Sequence, residues 1–168
     1  INESFNISEI DSATLKVYNE KYNIKLLLRK IITTYNDKCN QKDISFRSKI
    51  VSDLPDYLYG DSLGLKNVLT IILDNSLKYT KSGYIDLNVN LIAKKDIIRL
   101  IISIEDSGVG ILPGEISNIF NKDNTKTKND VEKNLYEVKK IITSMGGVII
   151  ASSNYNDGTK FKIFLDQK

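Results

Sequence analysis

Residues 97–104 are apolar at almost every position, and they run straight into Glu105-Asp106-Ser107-Gly108-Val109-Gly110-Ile111. This join constrains the chain more than any other feature. A strand that is apolar on both faces is a central strand, so the fold needs a sheet with neighbours on each side of it. The acid at its end can accept a hydrogen bond from an exocyclic amine. Two glycines one residue apart let the backbone approach a flat ring closely. Taken alone, the loop reads equally as a plain Asp-Ser-Gly turn, because a glycine pair is a weak signal.

The flanking sequence supplies the neighbours. Ile85, Leu87, Val89 and Leu91 alternate as a strand, and Lys94-Lys95-Asp96 joins it to residues 97–104 as a hairpin. Lys81-Ser82-Gly83 before it is a turn. Val148 to Ala151 and Phe161 to Leu165 read as two more strands, joined through Asn156-Asp157-Gly158. Ile44, Phe46 and Ile50 mark a half-buried strand, and Pro55 breaks the stretch after it. A short strand is expected at Thr14 to Tyr18.

Helices account for most of the rest. Ile24, Leu27, Leu28, Ile31, Ile32 and Tyr35 recur at i, i+3, i+4 and i+7 behind Asn23, giving about four turns by their spacing. Gly60-Asp61 caps a longer helix that runs to about Tyr79, with Leu65, Val68, Leu69, Ile72, Leu73 and Leu77 on its apolar face. Pro113 to Phe120 looks like one or two helical turns. Residues 121–130 form a polar loop without a large apolar side chain. Val131 to Met145 returns to helical spacing, and Gly146-Gly147 stops it. The resulting class is α+β: a two-layer sandwich of a mixed, mainly antiparallel sheet with helices on one face.

Composition limits the function classes. The 168 residues suffice for one domain with a sizeable core. A net charge of +3, spread along the chain, does not argue for nucleic acid. The single cysteine, Cys39, excludes an internal disulfide framework and fits a reducing, cytoplasmic setting. There is no histidine, so no His base, His metal ligand or phosphorylated His comes from this chain. No apolar run reaches the roughly 18 residues of a membrane span. The chain starts at Ile1 without a Met or a signal peptide and reads as a piece of a longer protein.

Two further segments bear on chemistry. Leu73-Asp74-Asn75-Ser76-Leu77-Lys78-Tyr79-Thr80 closes the long helix. Asn75 and Lys78 lie three apart and share a face, offering a neutral oxygen ligand for a metal and a point charge for phosphate. Mg²⁺ suits such a site, since it prefers oxygen and keeps water and phosphate around it. A solvated helix end is the competing reading. Asp157-Gly158-Thr159-Lys160-Phe161 is, alone, a hairpin turn.

In this order and on these elements, the three segments resemble the catalytic and ATP-binding domain of sensor histidine kinases, in the superfamily that includes gyrase and MutL. Gly60-Asp61 through Thr80 is similar to the family's N box, and Asp106 to Ile111 to its first glycine box. Ile119-Phe120 resembles the F box, and Gly158-Thr159-Lys160-Phe161 the last glycine box. The resemblance implies residues 1–20 as the end of a dimerisation hairpin with its linker, and 21–168 as the ATP-binding domain. It implies Mg²⁺ on Asn75, phosphate near Lys78 and adenine near Tyr79, with Asp106 accepting from the adenine amine. Gly108, Gly110 and Ile111 would shape the base pocket, with Phe120, Asn134, Leu135 and Thr159 around the nucleotide. Residues 121–133 would be a lid, with Lys122, Lys126 and Lys128 screening phosphate. A lid of solvated lysines with no such role is the other reading.

The pattern departs from the family in two places. Ile71 stands where a second Asn is usual, one turn before Asn75. The Gly-x-Gly-Leu-Gly-Leu run that normally opens the helix after the lid is missing, and Glu132 and Asn134 stand where glycines belong. Those glycines would let backbone N–H groups wrap phosphate. The resemblance leaves two functions open. One is a kinase domain passing the γ-phosphoryl group of Mg·ATP to a histidine on an upstream hairpin, in a homodimeric parent that signals to a response regulator. The other is a degenerate, non-catalytic domain that docks or regulates. Neither involves nucleic acid or direct membrane contact by this segment, although the parent could be membrane-anchored. A gyrase- or MutL-like ATPase fits the compact spacing less well.

Overall fold

A computed structural model describes residues 18–112, 114–121 and 130–168, with 130–134 as backbone only. The chain opens with strand β1 (Glu20–Asn23), then helix α1 (Ile24–Gln41), β2 (Ile44–Ile50), β3 (Tyr57–Gly60) and helix α2 (Ser62–Tyr79). After these come β4 (Gly83–Lys94), β5 (Ile97–Asp106), a 3₁₀ turn at Ile116–Asn118, helix α3 (Asp130–Ser144), β6 (Val148–Asn154) and β7 (Gly158–Gln167).

Each long helix starts where a side chain replaces a missing backbone acceptor. Asn23 accepts from the Leu26 amide at 2.9 Å, and Asp61 accepts from the Gly64 amide at 2.9 Å. The apolar stripes then turn inward. On α1, Ile24, Leu28, Ile31, Tyr35 and Cys39 are buried, so the helix runs past Tyr35 to five turns rather than four. On α2 all six residues expected on the apolar face are buried. Asp61 is itself almost buried. Asp61→Ala is therefore expected to cost about 1 kcal/mol, whereas Asp61→Asn, which keeps the acceptor, costs less. Urea midpoints of the two variants check this.

The five-stranded sheet has the order β2-β4-β5-β7-β6. Only β2 and β4 run parallel, and the other three pairings are antiparallel. The two-layer α+β architecture expected from sequence is the one observed. β5 is the central strand. Ile85, Leu87 and Val89, then Leu100, Ile102 and Ile104, then Phe161, Ile163 and Leu165 alternate onto one face and are buried there with side chains of α1, α2 and α3. The other apolar row of β5 is not covered in this way. Ile101 lies half-buried opposite Phe164, on a face where Arg47 pairs with Asp86 and Arg99 with Asp166.

Several local expectations change. β1 and β3 pair antiparallel in a separate two-stranded sheet. Strands of four residues give too short an alternation to be read from sequence, and Pro55 masked the second. Gly83 is the first residue of β4 rather than part of a turn. The segment ending at Phe120 holds a single 3₁₀ turn among its described residues. Residues 14–17 of the strand expected at Thr14 to Tyr18 lie outside the described residues, and Tyr18 is not in a strand.

Candidate functional site

The C-terminal turn of α2, the loop after β5 and the β6–β7 hairpin meet at one end of the sheet. Backbone contacts fasten them together. The Val109 amide donates to the Tyr79 carbonyl, the Ser107 amide to the Tyr84 carbonyl, and the Asn156 amide to the Val109 carbonyl at 2.6 Å. Ser153 Oγ accepts from the Ile111 amide at 2.7 Å, donates to the Gly158 carbonyl at 2.8 Å and lies 3.2 Å from Thr159 Oγ1.

The glycines make this meeting possible. A Cβ on Gly108 would stand 2.4 Å from the Tyr79 carbonyl oxygen and 2.9 Å from Thr80 Oγ1. Gly110 has φ +75°, and a Cβ there would stand 2.4 Å from the Asn154 carbonyl oxygen. The close approach these glycines permit is thus between protein segments.

Asp106 is 5 % exposed and accepts from the Gly108 amide at 2.9 Å. Burial pushes its carboxyl above the ordinary carboxylate value, and nearby Glu105 adds to the rise; the Gly108 and Thr159 amides and the Ser76 hydroxyl pull it partly back. The folded state therefore takes up a proton at higher pH than the unfolded state does, so this carboxylate lowers stability progressively as pH rises above about 3.8. Asp106→Asn is expected to gain stability relative to the parent chain as pH rises toward neutrality. Paired thermal melts from pH 3.5 to 7.5 measure the difference.

Asn75 and Thr80 are also buried, and Asn75 Nδ2 and Thr80 Oγ1 have no hydrogen-bond partner among the described residues. Unmatched buried polar atoms are costly, so a ligand or water bound here would supply the missing partner. Lys78 is exposed beside them, its ammonium 5.8 Å from the centre of the Tyr79 ring. No three acidic, Cys or His side chains cluster among the described residues. A cation here would take the Asn75 amide oxygen and complete its shell with phosphate and water, a pattern that suits Mg²⁺. The residues present fit a metal–nucleotide pair.

Not all of the expected site residues join this cluster. Phe120 packs edge-on against Phe161 at 6.2 Å, and Lys139 reaches its ring at 5.8 Å. Leu135 is buried in the helix–sheet core with Val138 and Ile142. Ile71 also packs against that core. The side chains of Glu132 and Asn134, and the lid lysines Lys122, Lys126 and Lys128, lie outside the described residues. Sequence reading assigned no role to Ser76, Thr80 or Ser153. Ser76 and Thr80 sit inside the segment already singled out, but only burial separates them from ordinary surface hydroxyls.

Comparison with known proteins bears on the family and the fold. Residues 60–168 match the family model described as histidine kinase-, DNA gyrase B-, and HSP90-like ATPase. The chain is 30% identical to the sensor histidine kinase GacS of Pseudomonas protegens over 99% of its own length, and 25% identical to the signal transduction histidine-protein kinase BarA of Escherichia coli over 96%. It spans only 19% and 18% of those proteins. Among solved structures, full-length ShkA in complex with AMPPNP superposes with a TM-score of 0.84 at 21% identity, covering 98% of this chain and 34% of that one. The nucleotide-free catalytic domain of histidine kinase ThkA superposes with a TM-score of 0.72 at 22% identity, covering 90% of this chain and 97% of that one.

Proposed function

Because this chain belongs to the histidine kinase-, DNA gyrase B-, and HSP90-like ATPase family, we propose that it is the ATP-binding catalytic domain of a two-component sensor histidine kinase. The observation that carries this reading is the buried Asp106 carboxylate at the junction with the end of α2, where Asn75 Nδ2 and Thr80 Oγ1 are buried without partners among the described residues. Asp106 would accept from the exocyclic amine of adenine, which selects adenine over a base with a carbonyl at that position. Asn75 would hold Mg²⁺, and Lys78 would neutralise phosphate from the solvent side. Gly108, Gly110, Ile111 and Thr159 keep the loop and hairpin closed around Asp106, and Tyr79 would pack near the adenine, with Phe120 farther off against Phe161. Asn134 would face phosphate near the start of α3, whereas Leu135 serves the core.

Mg·ATP would supply the phosphoryl group, and its transfer depends on positioning and charge neutralisation more than on covalent help from the protein. The acceptor histidine must lie elsewhere, since the chain has none. We place it on an upstream dimerisation hairpin ending near residue 20, in a homodimeric parent that passes the phosphoryl group to a response regulator. No helix among the described residues is long and apolar enough to cross a membrane. The domain would work in the cytoplasm, whether or not the parent is anchored.

A second reading is favoured by Ile71. A half-buried aliphatic side chain replaces a possible metal ligand or water anchor one turn before Asn75. With the phosphate-wrapping glycines also missing, a docking or regulatory domain with weak nucleotide affinity remains the alternative. Calorimetric titration with AMPPNP, with and without Mg²⁺, separates the two. Binding strengthened by Mg²⁺, with that gain lost in Asn75→Ala, is the expected result. No heat at millimolar nucleotide would sink the kinase reading.

A further inference from the structure

We infer that Tyr35 and Lys42, both contributed by α1 or its cap, are positioning residues that hold the nucleotide-facing end of α2 in place. The inference rests on the nucleotide reading above for its consequence, but not for its geometry. Asn75, Lys78 and Tyr79 all lie in the last turns of α2. That end has no glycine cap: Thr80 closes it in an extended conformation, φ −110° and ψ 117°. The last carbonyls of a helix lack intrahelical donors, and an uncapped end frays.

Besides the Val109 amide on the Tyr79 carbonyl, two side chains from α1 and its cap hold this end. The Tyr35 hydroxyl donates to Asp74 Oδ1 at 2.7 Å, with the Thr70 carbonyl 3.2 Å away as a second acceptor. The Tyr35 ring is 2% exposed, so the hydroxyl is fixed by the core beneath it. Burial and the Asp74 contact push its phenol well above the ordinary value, so it stays a proton donor throughout the working range. Lys38 reinforces the point from outside, 3.7 Å from the same Asp74 oxygen. Further along, the Lys42 ammonium donates to the Leu77 carbonyl and lies 3.3 Å from the Thr80 carbonyl.

Lys42 thus does the work of a C-cap, and its charge also opposes the negative end of the helix dipole. The two contacts fall on either side of Asn75: one at residue 74, the other at 77 and 80. Between them stands a buried amide nitrogen with no partner. The same contacts fix Lys78 and Tyr79. Asp106 itself stands at the end of β5 in register with Thr159 of β7, so base recognition has a further support besides its loop's contact with the end of α2.

The test uses Tyr35→Phe, Lys42→Met, Lys42→Arg and the Tyr35→Phe/Lys42→Met double variant of the whole chain. In the unliganded protein, amide hydrogen exchange at residues 77–80 should speed up about tenfold in the double variant, with residues 65–73 unchanged. Lys42→Arg should restore the parent rate. In titrations, Mg·AMPPNP affinity should fall about tenfold in the double variant, while adenosine affinity falls less than about threefold. Either single variant should show part of both effects, so the test survives if the double variant folds poorly. Unchanged exchange at 77–80 overturns the inference whether or not nucleotide binds. Equal loss of adenosine and Mg·AMPPNP also overturns it, because that is general destabilisation. A parent chain that binds no nucleotide, yet shows the exchange pattern, would count against the nucleotide reading alone.

Discussion

Asp106→Asn is expected to weaken adenine nucleotide binding by about 100-fold while leaving the fold as stable as before or more stable. The two effects have opposite signs because the folded state and the ligand want different things from this side chain. Folding buries Asp106 to 5 % exposure and raises its carboxyl above the ordinary value. Folding therefore penalises the charged form relative to the unfolded chain. Asparagine resembles the neutral form: it keeps one oxygen to accept from the Gly108 amide and turns a donor toward the remaining space. An adenine amine arriving there would meet a donor instead of an acceptor. The lost charge-assisted hydrogen bond, together with an unmatched amine, accounts for the magnitude. Calorimetry with AMPPNP and a thermal melt of the same samples test both halves. A variant that binds as tightly as the parent chain would remove Asp106 from base recognition. A variant that merely unfolds would show that the carboxylate is structural.

The largest stability effect should come from Gly158→Ala, at roughly 2–5 kcal/mol. Gly158 has φ +112°, a conformation that side chains rarely adopt. An added Cβ would stand 1.9 Å from the Asp106 carbonyl oxygen and 3.0 Å from Ser107 Cα. These are backbone atoms at the end of a central strand, so neither can swing away. Relief requires β5 and β7 to part at the point where Asp106 faces Thr159. Gly114→Ala provides the control, since nothing lies within 4 Å of its added Cβ and its φ is ordinary; its effect should stay within about 0.5 kcal/mol. Urea denaturation of the two variants gives the comparison. Equal midpoints would mean that the hairpin is freer to move than its contacts imply.

Both predictions concern residues that the sequence already marked, but for partly different reasons. The Asp106 to Ile111 loop stood out as a means of approaching a ligand. In the fold its glycines first serve the protein: Gly108 lies against the end of α2 and Gly110 against the β6–β7 hairpin. Helices α1 and α2 were legible because a buried face repeats at the helical period over many residues, and their caps follow from Asn23 and Asp61. The β1–β3 pair was not legible, because four-residue strands repeat too few times to stand apart from loop. Which row of β5 faces the helices was not legible either. An apolar side chain reads the same whether a helix or only a neighbouring strand such as β7 covers it.

The class of fold, the order of its longer elements and the three segments that meet at the site are written in the sequence, since those depend on local periodicity and turn chemistry. Only the tertiary structure decided what each polar residue in those segments does. It buried Asp106 and shifted its proton affinity, left Asn75 Nδ2 and Thr80 Oγ1 without partners among the described residues, and set Tyr35 and Lys42 against the far end of α2. Burial and hydrogen bonding between distant segments are properties of the packed chain. Tyr35 and Asp74 stand 39 positions apart, and no local pattern records that their side chains meet.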